Sequence, residues 1–139
     1  MARAGLPASI LYLDASALVK LILPEAETVA LLRLLLAWPY RIASQIAFVE
    51  VHRAVRRASG EPVILRRAEE MLSTIHFMDI HEGVLGDASL LEPRTVRSLD
   101  AIHLASAMNL RPELGGMVTY DRGMTEAAKK LNLKVMAPS

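Results

Sequence analysis

The chain has 139 residues, a hydrophobic fraction of 53% and no cysteine, and its 16 basic and 15 acidic residues leave a formal net charge of +1. This length suits one domain with a real hydrophobic core, and the apolar fraction excludes an intrinsically disordered chain. The lack of cysteine excludes disulfides and thiolate metal sites, and the balanced charge means that nucleic acid could be bound only through a local basic patch.

The N-terminal segment lacks the pattern of a signal peptide, because Asp14 and Lys20 interrupt its apolar run and no clear cleavage site follows. No uncharged apolar run approaches the ~18 residues that a membrane span requires. We therefore expect a cytoplasmic protein that does not enter a membrane. Residues 1–9, which include Gly5 and Pro7, are expected to form a loose arm ahead of the domain.

Short apolar runs alternate with helical patterns through the first half of the chain. The patterns predict strands at residues 10–13 and 41–43, and helices at 15–23, 25–37, 45–58 and 62–75. Ser44 is the expected N-cap of the third of these helices. The second helix has more leucines, at positions 31, 32 and 34–36, than one buried face needs. This excess indicates either burial on two sides or a dimer contact.

The alternation continues in the second half. We predict strands at residues 77–80, 117–120 and 133–136, and helices at 83–91, 98–107 and 125–131. Ser98 is the expected N-cap of the helix over 98–107, which places Asp100 in its first turn. Strands alternating with helices predict a parallel sheet covered on both faces, in one compact α/β domain.

Four carboxylates stand out by position, namely Asp14, Glu50, Asp100 and Asp121. Asp14 and Asp121 each end a predicted strand, and the other two lie on helices among small or apolar residues. Ligands of open α/β sheets bind outside the carboxyl ends of the strands. Any one of these acids alone is more often a solvated side chain or a helix cap. Four of them at such positions favour a shared site.

A cluster of four carboxylates is costly without a cation, because like charges and burial both raise the pKa of each group. A bound divalent ion offsets that cost. Oxygen ligands without cysteine favour Mg²⁺ or Mn²⁺ over zinc. Such a site lowers the pKa of a bound water and steadies the charge on a reacting phosphodiester, which is the chemistry of metal-dependent nucleases and phosphatases.

The sequence resembles PIN-domain proteins in three segments: YLDASALVK at 12–20, SLDAIHLASA at 98–107 and TYDRGM at 119–124. Among these proteins, the resemblance is closest to the VapC toxins of bacterial toxin–antitoxin pairs, and it covers residues from about 11 to 138. It implies an α/β fold, a PIN-like three-layer α/β/α sandwich with a short, mainly parallel central sheet.

The resemblance also implies a function. A chain of this family would be a Mg²⁺- or Mn²⁺-dependent endoribonuclease that cleaves RNA with a metal-activated water. A cognate antitoxin would inhibit it, and it would form a homodimer or a larger assembly with the antitoxin. The family's acidic set maps onto Asp14, Glu50, Asp100 and Asp121, and its small polar residues map onto Ser16 and Thr119.

We assign roles to these residues as hypotheses. The three aspartates, Asp14, Asp100 and Asp121, hold the metal directly or through water. Glu50 is either a further ligand or the group that orients the attacking water. The hydroxyls of Ser16 and Thr119 position waters or carboxylates around the metal.

Some basic residues lie close in sequence to the acids. Arg53, Arg56 and Arg57 follow Glu50 on one predicted helix and could contact RNA or an antitoxin, or form a solvated face. His103 has no second histidine at ligand spacing, so we expect a packed or hydrogen-bonded side chain there.

Three other functions fit the sequence less well. A phosphatase of the haloacid dehalogenase type needs a second acid two residues after its strand aspartate, where this chain has Ser16. A response-regulator receiver needs paired acids before that aspartate, and none are present. A non-catalytic PIN fold that only binds RNA or protein would be indicated by loss of one of the acids, and all four are here.

Overall fold

The computed structural model describes residues 8–139, and in this part of the chain five short strands form one sheet. The strands are β1 (Ile10–Leu13), β2 (Tyr40–Ser44), β3 (His76–Met78), β4 (Leu114–Val118) and β5 (Val135–Met136). Their order is β3-β2-β1-β4-β5, and every neighbouring pair is parallel. The first strand therefore lies in the middle of the sheet, and the chain adds strands on either side of it.

Helices connect the strands and cover both faces of the sheet. They are α1 (Ala15–Ile22), α2 (Thr28–Ala37), α3 (Gln45–Ala58), α4 (Pro62–Leu72), α5 (Glu82–Ser89), α6 (Ser98–Met108) and α7 (Arg122–Lys130). The predicted three-layer α/β/α fold with a parallel central sheet is confirmed. No helix within residues 8–139 is both long and apolar enough to cross a membrane.

The alternation of side chains along β1 divides the core into two parts. Leu11 and Leu13 are fully buried on one face, with residues of α1 to α4. Tyr12 points to the other face, where it lies in a cluster with Leu104 of α6 and Met124 of α7. The central strand is thus buried on both sides, as its unbroken apolar run predicts.

Several element boundaries differ from the predictions. Helix α2 begins at Thr28 rather than at residue 25, because the Thr28 hydroxyl accepts a bond from the Glu25 amide in the preceding turn. Strand β4 spans Leu114–Val118 rather than 117–120, so Asp121 lies three residues beyond its end. Ser44 caps α3 as predicted, its hydroxyl accepting a bond from the Ile46 amide.

The predicted N-cap at Ser98 is wrong. Ser98 is already helical, and the cap position is Arg97, whose carbonyl oxygen accepts the bond from the Ala101 amide. No side chain caps α6 at Arg97. Residues 1–7 of the predicted N-terminal arm lie outside the described part of the chain, so the loose arm stays a prediction. The amide of Ser9 already bonds to the Glu113 carbonyl, ahead of β1.

Candidate active site

Two of the four acids are placed by the same local device, a strand followed by a capped helix. Asp14 directly follows β1, and its Oδ1 accepts a bond of 3.1 Å from the Ala17 amide of α1. Asp121 follows β4 and accepts a bond of 2.7 Å from the Met124 amide of α7. Since β1 and β4 are neighbours, both carboxylates lie at the same edge of the sheet.

The other two acids come from helices that pack beside this edge. Glu50 lies on α3, and Asp100 lies in the first turn of α6. The structure brings all four predicted acids together around a cavity of about 170 Å³, which we call the acid cavity. It is lined by Asp14, Ala15, Ser16, Glu50, Asp100, His103, Asp121 and Met124.

The two predicted hydroxyl residues both contact Asp14. Ser16 Oγ donates to Asp14 Oδ1 at 2.6 Å, and Thr119 Oγ1 donates to Asp14 Oδ2 at 2.5 Å. The same hydroxyls accept bonds from the backbone, Ser16 from the Tyr120 amide and Thr119 from the Asp121 amide. These paired bonds fix Asp14 relative to the segment that carries Asp121.

Burial raises the pKa of two of the acids in the acid cavity. Asp14 is only 2% exposed, and this burial raises the pKa of its carboxyl, while the bonds from Ser16, Thr119 and Ala17 oppose the rise. Burial also raises the pKa of Asp100, and the nearby charge of Asp121 adds to that effect. The protein therefore keeps negative charges together at a cost, as expected of a site built to receive positive charge.

The donor set fits a hard divalent cation, because carboxylates without thiolates line the acid cavity. Within residues 8–139, however, no group of three or more histidine, aspartate or glutamate side chains is placed so that it could hold a metal ion. Asp14 uses both oxygens in hydrogen bonds, and Glu50 Oε1 lies 2.6 Å from His103 Nε2. Cation binding would therefore require side-chain rearrangement, and the metal site stays a prediction.

The three arginines predicted to meet RNA or an antitoxin do not all lie beside the acids. Arg53, Arg56 and Arg57 are exposed and line an open cavity of about 530 Å³ on α3. Arg57 alone of the three also lines a second cavity of about 450 Å³, which includes Glu50. Arg57 thus lines a cavity that adjoins the acid cavity, whereas Arg53 and Arg56 line only the cavity that does not include Glu50.

A second basic flank was not predicted from the sequence. Arg97 and Lys130 line a cavity of about 410 Å³ that also includes Asp100 and Asp121. The position of Arg97, three residues before Asp100, was the one signal available for it. Lys130 lies far from Arg97 and Asp100 in the sequence, so only the packing of α7 against α6 brings it near them. Basic side chains consequently border the acid cavity on two sides.

His103 is buried and hydrogen-bonded, as predicted. It is 1% exposed, its Nδ1 lies 2.6 Å from the Tyr12 hydroxyl, and its Nε2 faces Glu50. Tyr12 is fully buried and was not singled out in the sequence analysis. A tyrosine in an apolar strand gives no sign that its hydroxyl will meet a residue 91 positions away.

Replacement of Thr119 by valine tests the support of Asp14. Valine keeps the volume of the side chain but removes the donor to Asp14 and the acceptor for the Asp121 amide. We expect the free energy of unfolding to fall by about 1–3 kcal/mol, because a buried carboxylate loses a partner. Urea unfolding of the variant and of the matched surface variant Thr74→Val measures this. Equal stability of the two variants would contradict it.

The chain is similar in sequence to a known family and to known proteins. The model of the PIN domain matches residues 11–130. The chain is 41% identical over 129 residues to Ribonuclease VapC46 of Mycobacterium tuberculosis, covering 93% of this chain and 98% of that protein. It is 35% identical over 133 residues to Ribonuclease VapC47 of the same species, covering 93% of this chain and 97% of that protein.

Solved structures share the fold at lower identity. A toxin–antitoxin complex from Klebsiella pneumoniae matches with a TM-score of 0.71 and 23% identity, over 93% of this chain and 98% of that chain. VapBC2 from Rickettsia felis, bound to a DNA fragment from its promoter, matches with a TM-score of 0.70 and 16% identity, over 94% and 99%.

Proposed function

The chain belongs to the PIN-domain family, among the VapC proteins, and from this premise we propose that it is a metal-dependent endoribonuclease, the toxin of a VapBC-type pair. The observation that carries the proposal is the convergence of four carboxylates on one small cavity at the carboxyl edge of the sheet. The names of the relatives, ribonucleases in each case, support RNA as the substrate.

Each of these residues has a separate role in the proposed reaction. Asp14, Asp100 and Asp121 would hold Mg²⁺ or Mn²⁺, and Glu50 would complete the ligand set or orient the water that attacks the phosphodiester. The bound cation would supply positive charge to the phosphate and acidify a water. Ser16 and Thr119 hold Asp14 beside the other acids through their hydrogen bonds.

Basic residues on two sides of the acid cavity support a path for the RNA backbone. Arg57 borders one side, and Arg97 and Lys130 border the other. Phosphate contacts of this kind position nucleic acid without reading its sequence. We propose that a single RNA strand crosses the acid cavity between these two flanks, with its scissile phosphate above the aspartates.

We also propose an antitoxin as the protein partner and a homodimer as the smallest assembly. Helix α2 exposes apolar side chains, with Val29 60%, Leu32 42% and Leu36 83% exposed. Burial on two sides or a dimer contact was expected for the leucines of this helix. Leu31 and Leu35 are buried, and a protein partner would bury the exposed Leu32 and Leu36. The solved relatives named as toxin–antitoxin complexes support such a partner.

Incubation with RNA tests the catalytic proposal directly. We expect cleavage with Mn²⁺ or Mg²⁺ and none after addition of excess EDTA, and gel analysis of a structured RNA measures it. Restoration of cleavage by Mn²⁺ after EDTA is the control for irreversible damage. Binding of RNA without cleavage under any of these conditions would support the alternative, a non-catalytic PIN module that binds RNA or protein.

Asp100 gives a prediction for the pH dependence of stability in the absence of metal. The pKa of Asp100 is raised in the folded state from its ordinary value of 3.8, so the folded chain binds its proton more tightly than the unfolded chain does. This carboxyl therefore lowers the stability as the pH rises from about 3.8 through the raised value, and the whole cost is present at pH 7.

Replacement of Asp100 by asparagine removes that cost. We expect the metal-free variant to unfold at a higher temperature than the metal-free wild type at pH 7, with the difference vanishing below pH 3.8. Thermal unfolding in EDTA at the two pH values measures this. A variant that is less stable than wild type at pH 7 would contradict the account.

A further inference from the structure

A buried chain of hydrogen bonds leads from the core of the protein to Glu50. The Ser44 amide donates to the Tyr12 hydroxyl oxygen at 3.2 Å, and that oxygen lies 2.6 Å from His103 Nδ1. On the other side of the ring, His103 Nε2 lies 2.6 Å from Glu50 Oε1. Tyr12 and His103 are 0% and 1% exposed, so water does not compete for the bond between them, whereas the Glu50 side chain is 25% exposed.

The chemistry of the groups fixes the direction of this chain. A backbone amide can only donate, so the Tyr12 oxygen accepts from Ser44. The Tyr12 oxygen already accepts this bond, so its own O–H is available to donate to His103 Nδ1. An ionised Glu50 can only accept, so His103 Nε2 carries the proton between them. A neutral imidazole protonated on Nε2 satisfies every member.

The chain also connects the elements that carry three of the acids. Tyr12 lies on β1 two residues before Asp14, and His103 lies on α6 three residues after Asp100. Ser44 is the N-cap of α3, the helix that carries Glu50. The bonds thus hold β1, α3 and α6 in one relative position at the edge of the sheet where the acids meet.

We propose that His103, oriented by Tyr12, is the positioning residue that holds the Glu50 carboxylate in place for the ribonuclease reaction. His103 engages Oε1, and within residues 8–139 no hydrogen bond to Oε2 is formed. The second oxygen is thereby left to act in the acid cavity, while the first is held by the buried ring. This inference rests on the function proposed above, and it adds a role for two residues that do not touch the substrate.

The first test needs neither RNA nor a variant. In wild-type, metal-free protein, long-range ¹H–¹⁵N correlation spectra report which ring nitrogen of His103 carries the proton. We expect Nε2 to be protonated and Nδ1 to be bare at neutral pH. A ring protonated on Nδ1 alone would overturn the proposal, because His103 then could not donate to Glu50. His76, exposed on β3, serves as the reference ring in the same spectra.

The second test is a double-mutant cycle with Tyr12→Phe and Glu50→Gln, read out as Mn²⁺ affinity by calorimetry. Phenylalanine keeps the buried ring and removes the bond to His103. We expect Tyr12→Phe to weaken Mn²⁺ binding about tenfold when Glu50 is present. In the Glu50→Gln background it should have no further effect, because the group that Tyr12 acts through is gone.

The outcomes of the cycle separate positioning from a general loss of structure. Equal losses in the two backgrounds would show that Tyr12 only stabilises the fold, and the proposal would fall. In the RNA assay, Tyr12→Phe should lower kcat about tenfold and leave KM within about twofold. The control variant His76→Gln should change neither quantity. If wild-type protein cleaved no RNA, the proposed function would fail, while the spectra and the Mn²⁺ cycle would still decide the role of His103.

Discussion

Replacement of Asp14 by asparagine is expected to lower the rate of RNA cleavage at least about 100-fold and to leave the fold intact. Asp14 is the most buried of the four acids, and three donors, from Ser16, Ala17 and Thr119, converge on it. Asparagine has the same size and keeps one oxygen that can cap α1, but it removes the negative charge that the cation needs.

Initial rates of RNA cleavage with Mn²⁺ measure this effect, and circular dichroism of the same samples reports the fold. Asp79→Asn is the matched control, since Asp79 is an exposed acid in the loop after β3 and lies outside the acid cavity. Cleavage by the Asp14 variant at the rate of the control would show that Asp14 has no role in the reaction.

Addition of Mn²⁺ is expected to stabilise the folded protein strongly. A ligand that binds only the folded state at 100 times its Kd adds about 2.7 kcal/mol. For 139 residues this corresponds to a rise of about 9 °C in Tm. The physical reason is that burial raises the pKa values of Asp14 and Asp100, and that the charge of Asp121 repels Asp100. A bound cation would offset both unfavourable effects.

Thermal unfolding with MnCl₂ and with NaCl at matched ionic strength separates binding from screening. The rise should disappear on addition of EDTA and should be largely absent in the Asp100→Asn variant. A rise of the same size in that variant would show that Mn²⁺ binds elsewhere on the protein.

The alternation of apolar runs and helical patterns was sufficient to predict the fold class and the position of Asp14. An aspartate that directly follows a buried strand must lie at the carboxyl edge of a parallel sheet. Asp121 could be placed in the same way, although β4 ends two residues earlier than predicted. Glu50 was singled out by its position among small and apolar residues on a predicted helix, and the family resemblance places it in the same acidic set.

The parts of the site that could not be predicted depend on contacts between distant segments. Periodicity places Arg53, Arg56 and Arg57 on one helix, but it does not say that only Arg57 reaches the cavity containing Glu50. Similarly, the predicted N-cap at Ser98 is wrong because α6 begins one residue earlier than a cap at Ser98 implies. The N-cap is therefore Arg97, whose side chain makes no capping bond. Local pattern does not determine such shifts, which follow from the packing of α6.

The central position of β1 has a consequence for the synthesis of the protein. Asp14 and its partner Thr119 are 105 residues apart, and β1 and β4 pair only after the segment between them has been made. While the ribosome is still translating that segment, the emerging chain holds Asp14 and Glu50 but neither Thr119 nor Asp121. Whatever chemistry the acid cavity performs therefore begins only after β4 has been made and has paired with β1.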